Sequence, residues 1–143
     1  MSKSVLCAVD INRPDDEKHI LEEAYRLAKL DDARLDVITV VPDYGMSVVG
    51  SYFEADHTDK MKAAAHDHLI KVAESVVGAE ANKDVRHIVS VGNAYEEILH
   101  TAKKAGTDLI VIGAHKPDFR DFLLGPNAAR VVRHSTCSVY VVR

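Results

Sequence analysis

Asp10, Gly113, Lys116, Gly125 and Asn127 are the residues whose types and spacing suggest chemistry in this chain, and the chemistry they suggest is phosphate binding. Gly113 closes the apolar run 109–112, a polar loop carrying Lys116 follows, and Gly125 opens what reads as the last helix. A glycine at a helix start lets a ligand approach the backbone closely. The free N–H groups and the positive end of the helix dipole there favour an anion, and Lys116 would add a point charge. Asp10 follows the first apolar run, 5–9, where a carboxylate can cap the next helix or bind loop amides.

Five apolar runs, 5–9, 35–41, 85–91, 109–112 and 138–142, read as strands. Residues 109–112 are apolar throughout, as a parallel strand covered by helices on both faces requires. Helical spacing falls between the runs. Pro14 suits a first helical turn, with Asp15, Asp16 and Glu17 facing the positive dipole end, before Ile20, Ala24, Leu27 and Ala28 recur. Met61, Ala65, Leu69, Val72, Ala73 and Val76 mark a long amphipathic helix that Gly78 ends. Asn93 with Glu96 forms a variant capping box ahead of Ile98, Leu99, Ala102 and Ala105, and Lys103, Lys104 and Gly106 close that helix. Ala128, Val131 and Val132 line the last one.

This alternation predicts an α/β layer class with right-handed crossovers, and the arrangement considered for it is an open five-stranded parallel sheet with helices on both faces, order 3-2-1-4-5. In that order the chain reverses between the first and fourth strands, and the crevice there collects Asp10 and Gly113. Residues 43–56 have no clear period and read as a lid, a partner-packed stretch or an ordinary crossover.

At 143 residues the chain is expected to form one domain, with no repeat or low-complexity linker. A formal charge of -4, without a long basic run, argues against nucleic acid or an anionic membrane as the main partner. Cys7 and Cys137 each sit in an apolar run and read as buried thiols of a reducing compartment, not as a disulfide or a metal site. No run approaches the length of a membrane span and the N-terminus turns polar early, so a cytoplasmic protein without membrane insertion is expected. His57, His66 and His68 lack the one-face pairing of a zinc helix and read as solvated surface. A response-regulator receiver fails on inventory, because the third strand ends Val91-Gly92-Asn93 without an acceptor aspartate.

Over essentially its whole length the chain resembles a universal stress protein of the small single-domain bacterial type, with an adenine nucleotide alpha hydrolase-like fold. The resemblance rests on several marks in order: Val9-Asp10, Val40, Val91-Gly92, Ile112-Gly113-Ala114-His115, Leu123-Leu124-Gly125, the run 127–134 and the last strand 138–143. It implies an ATP-binding stress-response regulator with little or no catalytic turnover, with AMP or ADP as other ligands and Mg2+ carried on the phosphates. Carried over by residue, Ala8, Val9 and Asp10 would lie against ribose and base, and the Val40 backbone would read adenine. Gly113 with His115 and Lys116 of the following loop would hold phosphate, completed by Gly125, Asn127 and Ala128, and Ile112 would also contact the nucleotide. The resemblance also implies a homodimer through the C-terminal strand 138–143, and a protein partner whose identity the sequence does not give.

Two departures from the family pattern bear on phosphate. Lys116 stands where nucleotide-binding members carry the second glycine of Gly-x-x-Gly, and the spacer to Gly125 is one residue short, as in a subgroup with a basic residue and proline. Pro126 replaces the Ser or Thr after that glycine, removing a hydroxyl and an N–H donor. One neutral hydrogen bond is worth roughly 0.5–1.5 kcal/mol, so weakened nucleotide binding is expected; a dimeric interaction module with lost affinity is the alternative. His115 is the nearest acid/base candidate for slow hydrolysis, without a base and orienting partner beside it.

Overall fold

The computed structural model describes residues 3–42, 54–114 and 125–143, the first five of the second segment by backbone alone. Strands β1 (Ser4–Ala8), β2 (Arg34–Val41), β3 (Arg86–Val91), β4 (Leu109–Gly113) and β5 (Ser138–Val142) form one parallel sheet. Its order is β3-β2-β1-β4-β5, the order considered from the sequence. The helices are α1 (Pro14–Leu30), α2 (Glu54–Val77), the short α3 (Ala79–Asn82), α4 (Ala94–Ala105) and α5 (Pro126–His134).

Strand alternation assigns each face its own core. Val5, Cys7, Leu35, Val37 and Val111 turn to Ile20, Leu21, Ala24 and Ala28 of α1 and Ala65, Leu69 and Ala73 of α2. Leu6, Ala8, Ile38, Ile110 and Ile112 turn to Ile98 and Ala102 of α4 and Ala128 and Val131 of α5. The two central strands are therefore buried on both sides, which is why their sequences read as continuous apolar runs.

The carboxylate of Asp36 sits inside this apolar frame with no exposed surface. Asp36 pairs in register with Arg86 across β2 and β3, and the guanidinium binds it with Nε and NH2 at 3.2 and 2.9 Å. Arg34 adds a contact at 3.3 Å and ties the same group to Ser4 Oγ and to the Ala105 carbonyl at the end of α4, each at 3.1 Å. One buried acid thus joins three strands and a helix end at the amino-terminal side of the sheet.

Several local expectations change. Asn93 occupies the N-cap of α4 but makes no side-chain cap bond, and Glu96 accepts from the Tyr95 hydroxyl at 3.2 Å, so the capping box does not form. Gly78 ends α2 as expected, but α3 follows at once, and Asn82 there bonds the Ile70 carbonyl and the His87 ring. Cys7 is buried and Cys137 only half-buried. His66 and His68 are exposed, the first with its ring edge-on to His87. The His57 side chain and residues 43–53 lie outside the described residues.

Candidate functional site

Beyond Ala8 the first strand leaves the sheet. The Val9 N–H still donates to the Ile38 carbonyl at 2.9 Å, and the chain then turns through Asp10 into α1. Asp10 Oδ1 accepts the Asn12 N–H at 3.0 Å, fixing the turn as the loop-amide reading of this residue anticipates. Helix α1 has Arg13 at its N-cap and Pro14 in its first turn, so Asp10 does not cap it. Asp10 Oδ2 has no partner among the described residues.

On the neighbouring strand, β4 ends at Gly113, and the Ala114 carbonyl accepts the Gly125 N–H at 2.6 Å. That bond brings the start of α5 back to the end of β4. Gly125 is the N-cap of α5 and Pro126 its first residue, where a missing N–H breaks no bond within the helix. The Asn127 and Ala128 amides remain at the helix start.

These two turns and the end of β2 enclose a cleft of about 400 Å3 at the carboxyl ends of the strands. Ala8, Val9, Asp10, Val40, Ile112, Gly113, Gly125, Asn127 and Ala128, all singled out in the sequence, line it together. His115 and Lys116 lie outside the described residues. Val40 lies near the end of β2. Residues of a strand direct their N–H and C=O groups alternately to the two neighbours, and Ile38 directs its carbonyl to β1. Val40 does the same two residues on, after the last β1–β2 pair, Ala8 with Ile38. Its peptide groups are therefore directed to the β1 side, beyond the last β1–β2 pair.

Glu17 also lines the cleft, and the sequence reading did not place it there. It lies in the acidic first turn of α1 as expected, but its side chain turns inward, Oε1 accepting the Asp10 N–H at 3.0 Å. Burial pushes its carboxyl above the ordinary range and the nearby Asp10 charge adds to this, while the Asp10 N–H, His19 and Arg13 pull it partly back. Only its position seven residues after Asp10, two turns of backbone away from a strand end, could have signalled this role, and a surface acid has the same signature.

The glycine at 113 is required for space. A Cβ there would stand 2.5 Å from Cδ1 of Ile20 and 3.6 Å from Glu17 Oε2. Ile20 is itself in the core and cannot swing out to solvent. Gly113→Ala is therefore expected to cost about 1–3 kcal/mol through overpacking between α1 and β4, read as a lower urea midpoint at unchanged slope.

Known proteins share this fold. The model of the universal stress protein family matches residues 1–143. Universal stress protein G of Escherichia coli O157:H7 is 28% identical over 146 residues, covering all of both chains. Among solved structures, the universal stress protein UspA from Lactobacillus plantarum superposes with a TM-score of 0.78 at 26% identity, over 99% of this chain and 97% of its own. A universal stress protein in complex with cAMP (TM-score 0.65, 20% identity, 99% of this chain and 97% of that one) shares the fold. So does one from Archaeoglobus fulgidus in complex with dAMP (TM-score 0.62, 16% identity, 99% of this chain and 98% of that one). With a match over its whole length, a sheet in the order β3-β2-β1-β4-β5 and a cleft where the strand order reverses, the chain belongs to the universal stress protein family.

Proposed function

We propose that this stress protein is a single-domain, cytoplasmic regulatory module that binds an adenine nucleotide and acts through nucleotide-dependent conformation rather than turnover. The observation that carries the reading is the convergence of Asp10, Val40, Gly113 and the start of α5 on one cleft. The donor set fits the ligand. The apolar side chains of Ala8, Ile38 and Val40 suit a base, the Val40 peptide its hydrogen-bonding edge, the Asp10 carboxylate a ribose hydroxyl, and the Asn127 and Ala128 amides a phosphate. Two relatives of the same fold whose complexes contain cAMP and dAMP add support. ATP is the expected ligand, with AMP and ADP as alternatives and Mg2+ carried on the phosphates. Lys116 and His115 are proposed as further phosphate contacts. Mass spectrometry of the denatured purified protein tests the reading: co-purifying adenine nucleotide, or its stoichiometric uptake on incubation, is the expected result.

A second reading keeps the fold and replaces the ligand by a partner. Pro126 favours it, because the first residue of α5 offers no N–H to a phosphate. In both readings β5, an edge strand carrying the partly exposed Tyr140, is the proposed homodimer contact through residues 138–143. Sedimentation velocity is expected to give a dimer with or without nucleotide; a nucleotide-free dimer that takes up no ATP favours the interaction module.

A further inference from the structure

Glu17 uses its two carboxylate oxygens differently. Oε1 accepts the Asp10 N–H, and Oε2 lies 3.6 Å from where a side chain on Gly113 would begin. The residue therefore bridges the two turns that border the cleft, one proposed for ribose and one for phosphate. We infer that Glu17 determines which nucleotides the cleft accepts: by holding Asp10 it favours the nucleoside, and by placing a negative charge beside Gly113 it selects against added phosphates. The inference rests on the adenine-nucleotide reading and concerns its selectivity: Glu17 lowers the affinity that each added phosphate, those of the proposed ATP included, would otherwise contribute.

Among the described residues, the surroundings of this charge are mixed in sign. Glu17 lines both the main cleft and a smaller one of about 190 Å3 beside it. From α1 and the turn before it, Asp10, Arg13, Asp16 and His19 face that smaller cleft. Arg13 lies 3.5 Å from Asp16, so part of its charge is committed there. Gly113 and Ala114 of the β4 end bring no charge, while from the β5 end Val142 and the cationic Arg143 close the far side. Across the main cleft, Pro126 gives up the first N–H of α5, a donor that would otherwise offset a phosphate's charge. The half-buried Glu17 carboxyl, pushed up by the burial it has, takes a proton more readily than a surface acid, so selection against phosphates weakens as the pH falls.

The test is calorimetric titration of the full chain with adenosine, AMP and ATP, for wild type, Glu17→Gln and Glu17→Ala. Glutamine keeps an oxygen for the Asp10 N–H and removes the charge. Glu17→Gln is expected to leave adenosine affinity within about twofold and tighten ATP by about three- to tenfold at pH 7.5. Glu17→Ala is expected to weaken adenosine by about fivefold, which glutamine does not. Lowering the pH should raise the ATP-to-adenosine affinity ratio of wild type more than that of Glu17→Gln, which lacks the Glu17 carboxyl. A purely structural Glu17 would move all three ligands together, and an ATP-to-adenosine ratio unchanged in Glu17→Gln overturns its role alone. Wild type that binds none of the three overturns the nucleotide reading and the inference with it.

Discussion

Replacing Arg86 by methionine is expected to lower stability by about 2–3 kcal/mol, a fall of roughly 6–10 °C in Tm for a chain of this size. The loss comes from what stays behind. Asp36 is fully buried, and without the paired bonds from Arg86 it keeps only the Arg34 contact at 3.3 Å. Breaking a wholly buried pair costs about 3–5 kcal/mol, and the half-exposed Arg86 side chain places this case below that range. The double variant Asp36→Leu with Arg86→Met removes both charges, and most of the loss should return. Urea unfolding of the two variants checks this. A loss under about 0.5 kcal/mol for Arg86→Met, a size typical of exposed pairs, would mean that Arg34 alone satisfies the acid.

Asp10→Ala is expected to weaken ATP binding by at least about tenfold, with little change in stability. A hydrogen bond to an ionised group contributes about 1.5–3 kcal/mol, which corresponds to about a 10- to 150-fold change in affinity. Asp10 also holds the Asn12 amide through Oδ1. Asp10→Asn retains that acceptor and loses the charge, so its affinity should fall between wild type and alanine. Equal affinities for all three proteins, by titration at one pH and salt concentration, would show that the ribose does not sit at the β1 turn.

Much of the fold was legible because the central strands are covered on both faces. Residues 5–9 and 109–112 read as continuous apolar runs for that reason, and the helices between them repeat at helical spacing. Asp36 was not legible. It interrupts the run 35–41, and what permits its burial is Arg86, fifty positions away, through a β2–β3 register that no local pattern reveals. Asp10, Val40, Gly113 and Gly125 were readable as landmarks at strand and helix ends, and the sheet order brings them to one cleft. Glu17 was read only as a dipole-facing acid, because its inward turn depends on the Asp10 amide and on the absence of a side chain at Gly113. Asn93 and Glu96 matched a capping box by spacing, but Tyr95 offers Glu96 a competing hydroxyl.

The central claim is that the cleft between the ends of β1 and β4 binds an adenine nucleotide. Isothermal titration of ATP, and separately of AMP, into nucleotide-free wild-type protein with Mg2+ tests it most directly. The account predicts saturable binding of one nucleotide per chain with a dissociation constant in the micromolar range, about −7 to −8 kcal/mol. The absence of saturable binding of either nucleotide at millimolar concentration would contradict it.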